Sequence, residues 1–234
     1  MRDSARLASN GEPAAGCVTL EDAGAIVHEL VAVIVEHAPQ LSELDGAIGD
    51  GDHGINMSKA FRLAAARLGD PAPDFARGLA LLGDTLMNEI GGSTGPLYGT
   101  LFGEMAECLR RAGSIERASL AAALRAGADA VMDLGGAKPG DKTLVDVLVP
   151  AARAFDDAAE RGRSLAACLV AMRDAADDGY AATRDMAAKV GRAARLGERS
   201  RGVPDPGAAS CRLLLTTLAD GVLAKLTTPP SSTP

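Results

Sequence analysis

The sequence predicts an all-α protein of about eight antiparallel helices in an up-and-down barrel. The apolar fraction is 47% but aromatics make up only 3% and tryptophan is absent, so Leu, Ala, Val, Ile and Met must build the core. Alanine-rich stretches with few β-branched runs favour helix. No stretch alternates apolar and polar residues as a half-buried strand does. Breaks rich in Gly, Asp, Ser and Thr recur at helix-length intervals along the 234 residues. That length supports one sizeable core.

Each helix has its own signals. Thr19 and Asp22 form a capping-box pattern that opens a first helix, running to about His37. A second runs from about Ile55 to Leu68, with Met57, Phe61, Ala64 and Leu68 on one face. A third covers Asp74 to Glu89. A fourth starts near Pro96, a good first helical residue, and ends near Arg111. A fifth runs from Ser119 to Leu134. A sixth runs from Lys142 to about Ala159, with Pro150 expected to kink it. A seventh spans Ser164 to Val190. The last begins at Asp205-Pro206, a cap followed by proline, and runs to about Lys225. Residues 18–227 read as one domain, with loose tails at 1–17 and 228–234.

The connections are of two kinds. Those after the second, fourth and sixth helices are plain: GDPAP, AGSIERA and ERGR. Those after the first, third, fifth and seventh are DGAIGDGDHG, GGSTGP, GGAKPGDKT and GRAARLGERSRGVPDPG. In an up-and-down bundle alternate loops share an end, so the second set should gather on one rim.

Asp45, Asp50 and Asp52 fall within eight residues. Crowded carboxylates repel and push one another towards the neutral form, unless a cation compensates them. Hard oxygen donors in this number suit magnesium or calcium. An EF-hand is a poor match, because the twelfth position from Asp50 is Phe61 where a bidentate Glu is needed. Glycine loops at helix N-termini make anion-binding concavities, and Ser93 and Thr94 add hydroxyls. The rim therefore reads as a magnesium–nucleotide site. Taken singly, each loop could be an ordinary solvated turn, and it is their convergence that favours a site. His28 and His37 read as a packing group and a favourable helix-end charge. A net charge of −7 with one short basic segment argues against nucleic acid. Cys17, Cys108, Cys168 and Cys211 stand far apart with no CxxC, which fits a reducing cytoplasm. The most apolar stretch, AIVHELVAVIV, is too short to span a bilayer, so no membrane association is expected.

The motifs IGDGDHGINM, GGSTGPLYGT, PGDKTLVDVLVP and LGERSRGVPDPGAAS occur in the order found in the nucleotide-binding L subunit of dihydroxyacetone kinase, the DhaL-type domain. The chain resembles that family from about residue 20 to 226. The resemblance implies a helical barrel with the nucleotide, ADP or ATP, at one end. It implies that Asp45, Asp50 and Asp52 are catalytic and hold two Mg²⁺ ions bridging the phosphates. It places His53, Gly54, Ile55 and Asn56 against the nucleotide and Ser93 and Thr94 at phosphate or ribose. Gly135 and Leu144 would lie near the base, with Arg192, Asp205, Pro206 and Gly207 closing over the nucleotide. The family often carries Ala-Ser at Ser93-Thr94 and Met at Leu144, and both departures keep the chemistry.

The resemblance also implies a separate K-type subunit that holds a small ketose, and a donor that is either ATP or a phosphotransferase-system protein. The segment from Gly191 to Asp205 is expected to act as a lid, given its length, its glycines and its arginines. A regulatory module that reports nucleotide state to a transcription factor is an alternative reading, and a scaffold or lipid-binding helical barrel is another.

Overall fold

The computed structural model describes residues 16–227. The expected tails at 1–17 and 228–234 lie outside the described residues, apart from residues 16 and 17. Among the described residues the elements run β1 (Val18–Thr19), α1 (Ile26–Ile48), α2 (His53–Leu68), α3 (Phe75–Glu89), α4 (Thr94–Ala112), β2 (Ser114–Ile115), α5 (Arg117–Gly135), α6 (Val145–Glu160), α7 (Leu165–Ala182) and α8 (Pro206–Thr227). Two short 3₁₀ segments, Thr183–Asp185 and Arg192–Ser200, lie between α7 and α8.

The fold is all-α. Each helix packs against the next, and α8 returns to pack against α1. The core inside this ring is aliphatic, as the composition requires, with Ile26, Ile34, Leu79, Leu124, Leu148 and Met172 all buried. Two helices approach closely where glycine permits it: a Cβ at Gly83 of α3 or Gly99 of α4 would press on the other helix's backbone. The two-residue strands pair antiparallel, Val18 with Ile115, at the end where α4 finishes. They are too short to show the alternation that marks a strand in sequence.

Local caps explain several boundaries. Asp74 accepts from Arg77 N before α3, and Ser164 accepts from Ala167 N before α7. Such caps contribute about 1 kcal/mol each. Glu116 and Ser119 form a reciprocal capping box at α5. Gly113 and Gly136 end α4 and α5 in the left-handed conformation.

Three expectations are corrected. The Thr19–Asp22 bonds are present, but they close a turn and α1 starts at Ile26. Leu20 O is instead taken by Phe75 N, which ties this turn to α3. α1 also continues past His37 and through Pro39 to Ile48, because Leu41 and Ile48 are buried and hold the extra turns in place. The seventh helix ends at Ala182 rather than Val190. α6 runs through Pro150 as one helix.

By length and composition α8 could cross a membrane, but 56% of its most apolar window is buried inside the protein, as a core helix would be.

Candidate functional site

The connections after α1, α3, α5 and α7 meet at one end of the helix array and line one cleft of about 360 Å³. α2, α4, α6 and α8 all begin at or beside this cleft. Their N-termini bring first-turn N–H groups and positive dipole ends to it.

One wall is acidic. Asp45 belongs to the last turn of α1, Asp50 to the tight turn that follows, and Asp52 immediately precedes α2. One carboxylate oxygen from each lies within 4.8 Å of the others. Asp45 Oδ2 accepts from His53 N at 3.1 Å, which locks the end of α1 to the start of α2. The Arg192 guanidinium pairs with Asp50 and, at 3.1 Å, with Asp52. Desolvation works against it, but Arg192 holds the Asp50 carboxyl below its usual range. Three hard oxygen donors at this spacing fit a divalent cation of the magnesium type.

The opposite wall is apolar and glycine-lined: Val131, Leu144, Val145 and Val190 with the backbone of Gly135. A side chain at Gly135 would reach only the Leu97 methyls. Ser93 and Thr94 stand exposed and half-buried at the start of α4, between the two walls.

The floor is polar and buried. His53 Nε2 lies 2.9 Å from Ser210 Oγ. Ser210 Oγ lies 2.7 Å from Tyr98 Oη, and both hydroxyls reach Gly207 O at 3.1 Å. Burial lowers the His53 pKa against the pull of Asp45 and Asp52, which favours the neutral ring. The network joins the acidic turn to the first turn of α8. Asp205 caps α8 by accepting from Ala208 N at 2.7 Å, and its own N–H donates to Thr183 Oγ1. Burial pushes the Asp205 carboxyl up to about 7, although the Ala208 N–H and the Lys142 cation pull it down.

Asp45, Asp52, His53, Asn56, Ser93 and Thr94 line the cleft, as do Gly135, Leu144, Arg192, Asp205, Pro206 and Gly207. Asp50 stands beside it through the acidic group. Gly54 and Ile55 are not on it. Gly54 is buried in α2 where a Cβ would collide with Ala38 O of α1, so it serves helix packing. Ile55 is 63% exposed and faces outward. Two lining residues were not legible as such. Tyr98, which is buried, and Lys142 fall within the motifs GGSTGPLYGT and PGDKTLVDVLVP but do not stand out there, since one resembles a core aromatic and the other a helix start.

The DAK2 domain family matches residues 47–220. The chain is 39% identical to the "PEP-dependent dihydroxyacetone kinase, ADP-binding subunit DhaL" of Escherichia coli K12, covering 76% of this chain and 86% of that one. It is 34% identical to the D-erythrulose kinase of Mycolicibacterium smegmatis over 82% of this chain, but spans only 34% of that enzyme. The crystal structure of the C. freundii dihydroxyacetone kinase in complex with AMP-PNP and Mg²⁺ is similar at a TM-score of 0.63 and 26% identity. That alignment covers 94% of this chain and 38% of the kinase.

Proposed function

This chain belongs to the DAK2 domain family, and we propose that residues 18–227 form the nucleotide-binding domain of a small-ketose kinase, working in the cytoplasm with a separate K-type subunit that holds the ketose. The observation that carries this reading is the convergence of four loops on one cleft, with three aspartates on one wall and an apolar, glycine-lined slot on the other.

The division of labour follows from the walls. Asp45, Asp50 and Asp52 would hold magnesium, two ions in the fuller form of the reading. Magnesium bound there supplies charge neutralisation for a polyphosphate during phosphoryl transfer. Ser93, Thr94 and the first turn of α4 offer hydroxyls and N–H groups to phosphate or ribose. Gly135 and Leu144 flank the slot that suits a flat purine. Arg192, on the long connection before α8, offers a planar fork of donors to phosphate oxygens. Gly207 and Asp205 fix the start of α8 beneath it. The helix ring is read as an up-and-down barrel whose working end is this rim and whose far end is scaffold.

ADP is the favoured resident nucleotide. The E. coli relative is an ADP-binding subunit of a PEP-dependent kinase, which supports a phosphotransferase-system protein as phosphoryl donor. The AMP-PNP and Mg²⁺ in the C. freundii kinase support a magnesium–nucleotide pairing at this kind of cleft. The acceptor is a small ketose of the dihydroxyacetone or erythrulose class, after the relatives.

Calorimetry with ADP in magnesium, and again with EDTA, tests the reading. Binding should weaken by at least about a hundredfold in EDTA, and Asp50→Asn in magnesium should approach the EDTA value. Equal affinity in the two buffers would overturn it.

A further inference from the structure

Lys142 is fully enclosed, at 1% exposure, in the connection between α5 and α6. All of its hydrogen-bond acceptors are main-chain carbonyls of the segment between α7 and α8. Nζ donates to Thr183 O at 2.8 Å, Met186 O at 3.2 Å, Ser200 O at 2.8 Å and Val203 O at 2.7 Å. An ammonium has three protons, so four carbonyls saturate it and one proton is shared. The acceptors come from both ends of the segment that carries Arg192, and one buried cation draws those ends together.

Other contacts hold the same two pieces of chain. Lys189 Nζ donates to Gly140 O, and Lys189 N to Asp141 O. Ser200 is buried: it accepts from Ala188 N at 2.8 Å and donates to Gly197 O at 2.6 Å. The connection that supplies Lys142 is itself rigid. Asp146, buried in the first turn of α6, accepts from Gly140 N and Thr143 N, and Asp141 accepts from Lys138 N. Lys142 holds φ at +62°, which is rare for a residue with a Cβ. Such a conformation persists where surrounding contacts over-determine it and often marks a functional constraint.

We infer that Lys142 is a positioning residue: its four carbonyl bonds clasp the 183–203 segment shut and thereby present Arg192 to the acidic turn and to the bound nucleotide. The inference rests on the nucleotide reading above and adds how the arginine is held. Burial lowers the Lys142 pKa, with Asp205 partly opposing that, so the four carbonyl acceptors are what offset the cost of holding an ammonium in a dry place. The segment is then a pre-formed strap, tied at its base, with Arg192 already paired to Asp50 and Asp52 at the acidic turn.

The test is a double-substitution cycle on the full chain. Lys142→Met keeps the aliphatic stem and removes the donors. It should raise the dissociation constant for Mg-ADP by at least about tenfold, and in an Arg192→Ala background by less than about threefold, because both changes then remove the same contact. Hydrogen exchange should quicken in residues 183–203 of Lys142→Met while α3 and α5 keep their protection. Purely additive effects, or unchanged exchange in 183–203, would overturn the inference. If Lys142→Met does not fold, Ser200→Ala replaces it in the same cycle. It should also loosen 183–203 and couple to Arg192, and its independence from Arg192 would overturn the inference equally. Failure of the wild-type chain to bind Mg-ADP would sink the nucleotide reading first and this inference with it, which is a different result from normal binding with additive substitutions.

Discussion

At the scale of single residues, the site consists of charges placed where something must offset them. Asp50 and Asp52 share the Arg192 guanidinium. Asp205 is buried, and desolvation pushes its carboxyl up to about 7 against the pull of the Ala208 N–H and the Lys142 cation. The sign of the consequence is fixed. An acid whose folded pKa is raised above about 3.9 binds more protons folded than unfolded between those values, so stability falls as pH rises from about 4 to 7. Above the folded pKa the whole penalty is present. Asp205→Asn keeps an oxygen to accept from Ala208 N but removes the charge. It should raise the melting temperature of the nucleotide-free protein by several degrees at pH 8. The advantage should shrink as the pH falls towards 4. Thermal unfolding of both proteins at several pH values checks this, and an advantage that is the same at pH 4 and pH 8 would contradict it. The aspartate triad, Ser93 and Thr94 stood out as candidates by type and local spacing and Arg192 through the family resemblance, and the structure brings them to one cleft or its acidic group. Lys142 did not stand out. Its partners lie 41 to 61 residues away and are backbone carbonyls, which have no sequence identity to read.

At the scale of elements, local signals succeeded where local physics decides and failed where packing does. Asp74 and Ser164, where the third and seventh helices were expected to begin, cap those helices, because a short side chain before a helix finds its own N–H groups. Pro39 should discourage a helix, yet α1 passes through it, and the two further turns bring Asp45 to the cleft on a rigid element. Burial of Leu41 and Ile48 supplies what the sequence pattern alone did not reveal. α7 was expected to run on to Val190, but the main chain leaves the helix where Lys142 collects the carbonyls of Thr183 and Met186. Gly54 shows how an element boundary serves the site. Its hydrogen lets the first turn of α2 rest on Ala38 O of α1, which sets the width of the acidic turn between them. Gly54→Ala should therefore destabilise the fold by about 1–3 kcal/mol through overpacking. It should also weaken Mg-ADP binding although the residue does not line the cleft. Chemical denaturation and calorimetry on the same variant check both effects, and full stability with normal binding would show that α1 and α2 are not held this closely.

At the scale of the whole molecule, the alternation of plain and glycine-rich connections foretold that one end of the helix ring would be special, and the four rich loops do share one cleft. This followed from counting helices, because an even number of passes returns the chain to the same end. It survived misplaced helix ends, since moving a boundary by a turn does not change which end a loop occupies. The far end holds the β1–β2 pair and the plain connections at 69–74 and 161–164. The rich rim should bind a magnesium nucleotide and the far rim should not. Hydrogen exchange over the whole chain, with and without Mg-ADP, tests this most directly. Protection should rise together in residues 45–56, 91–97, 135–146 and 190–207, and stay unchanged in 69–74, 113–117 and 161–164. Protection confined to the far rim, or none at the four loops under conditions where ADP binds, would contradict it.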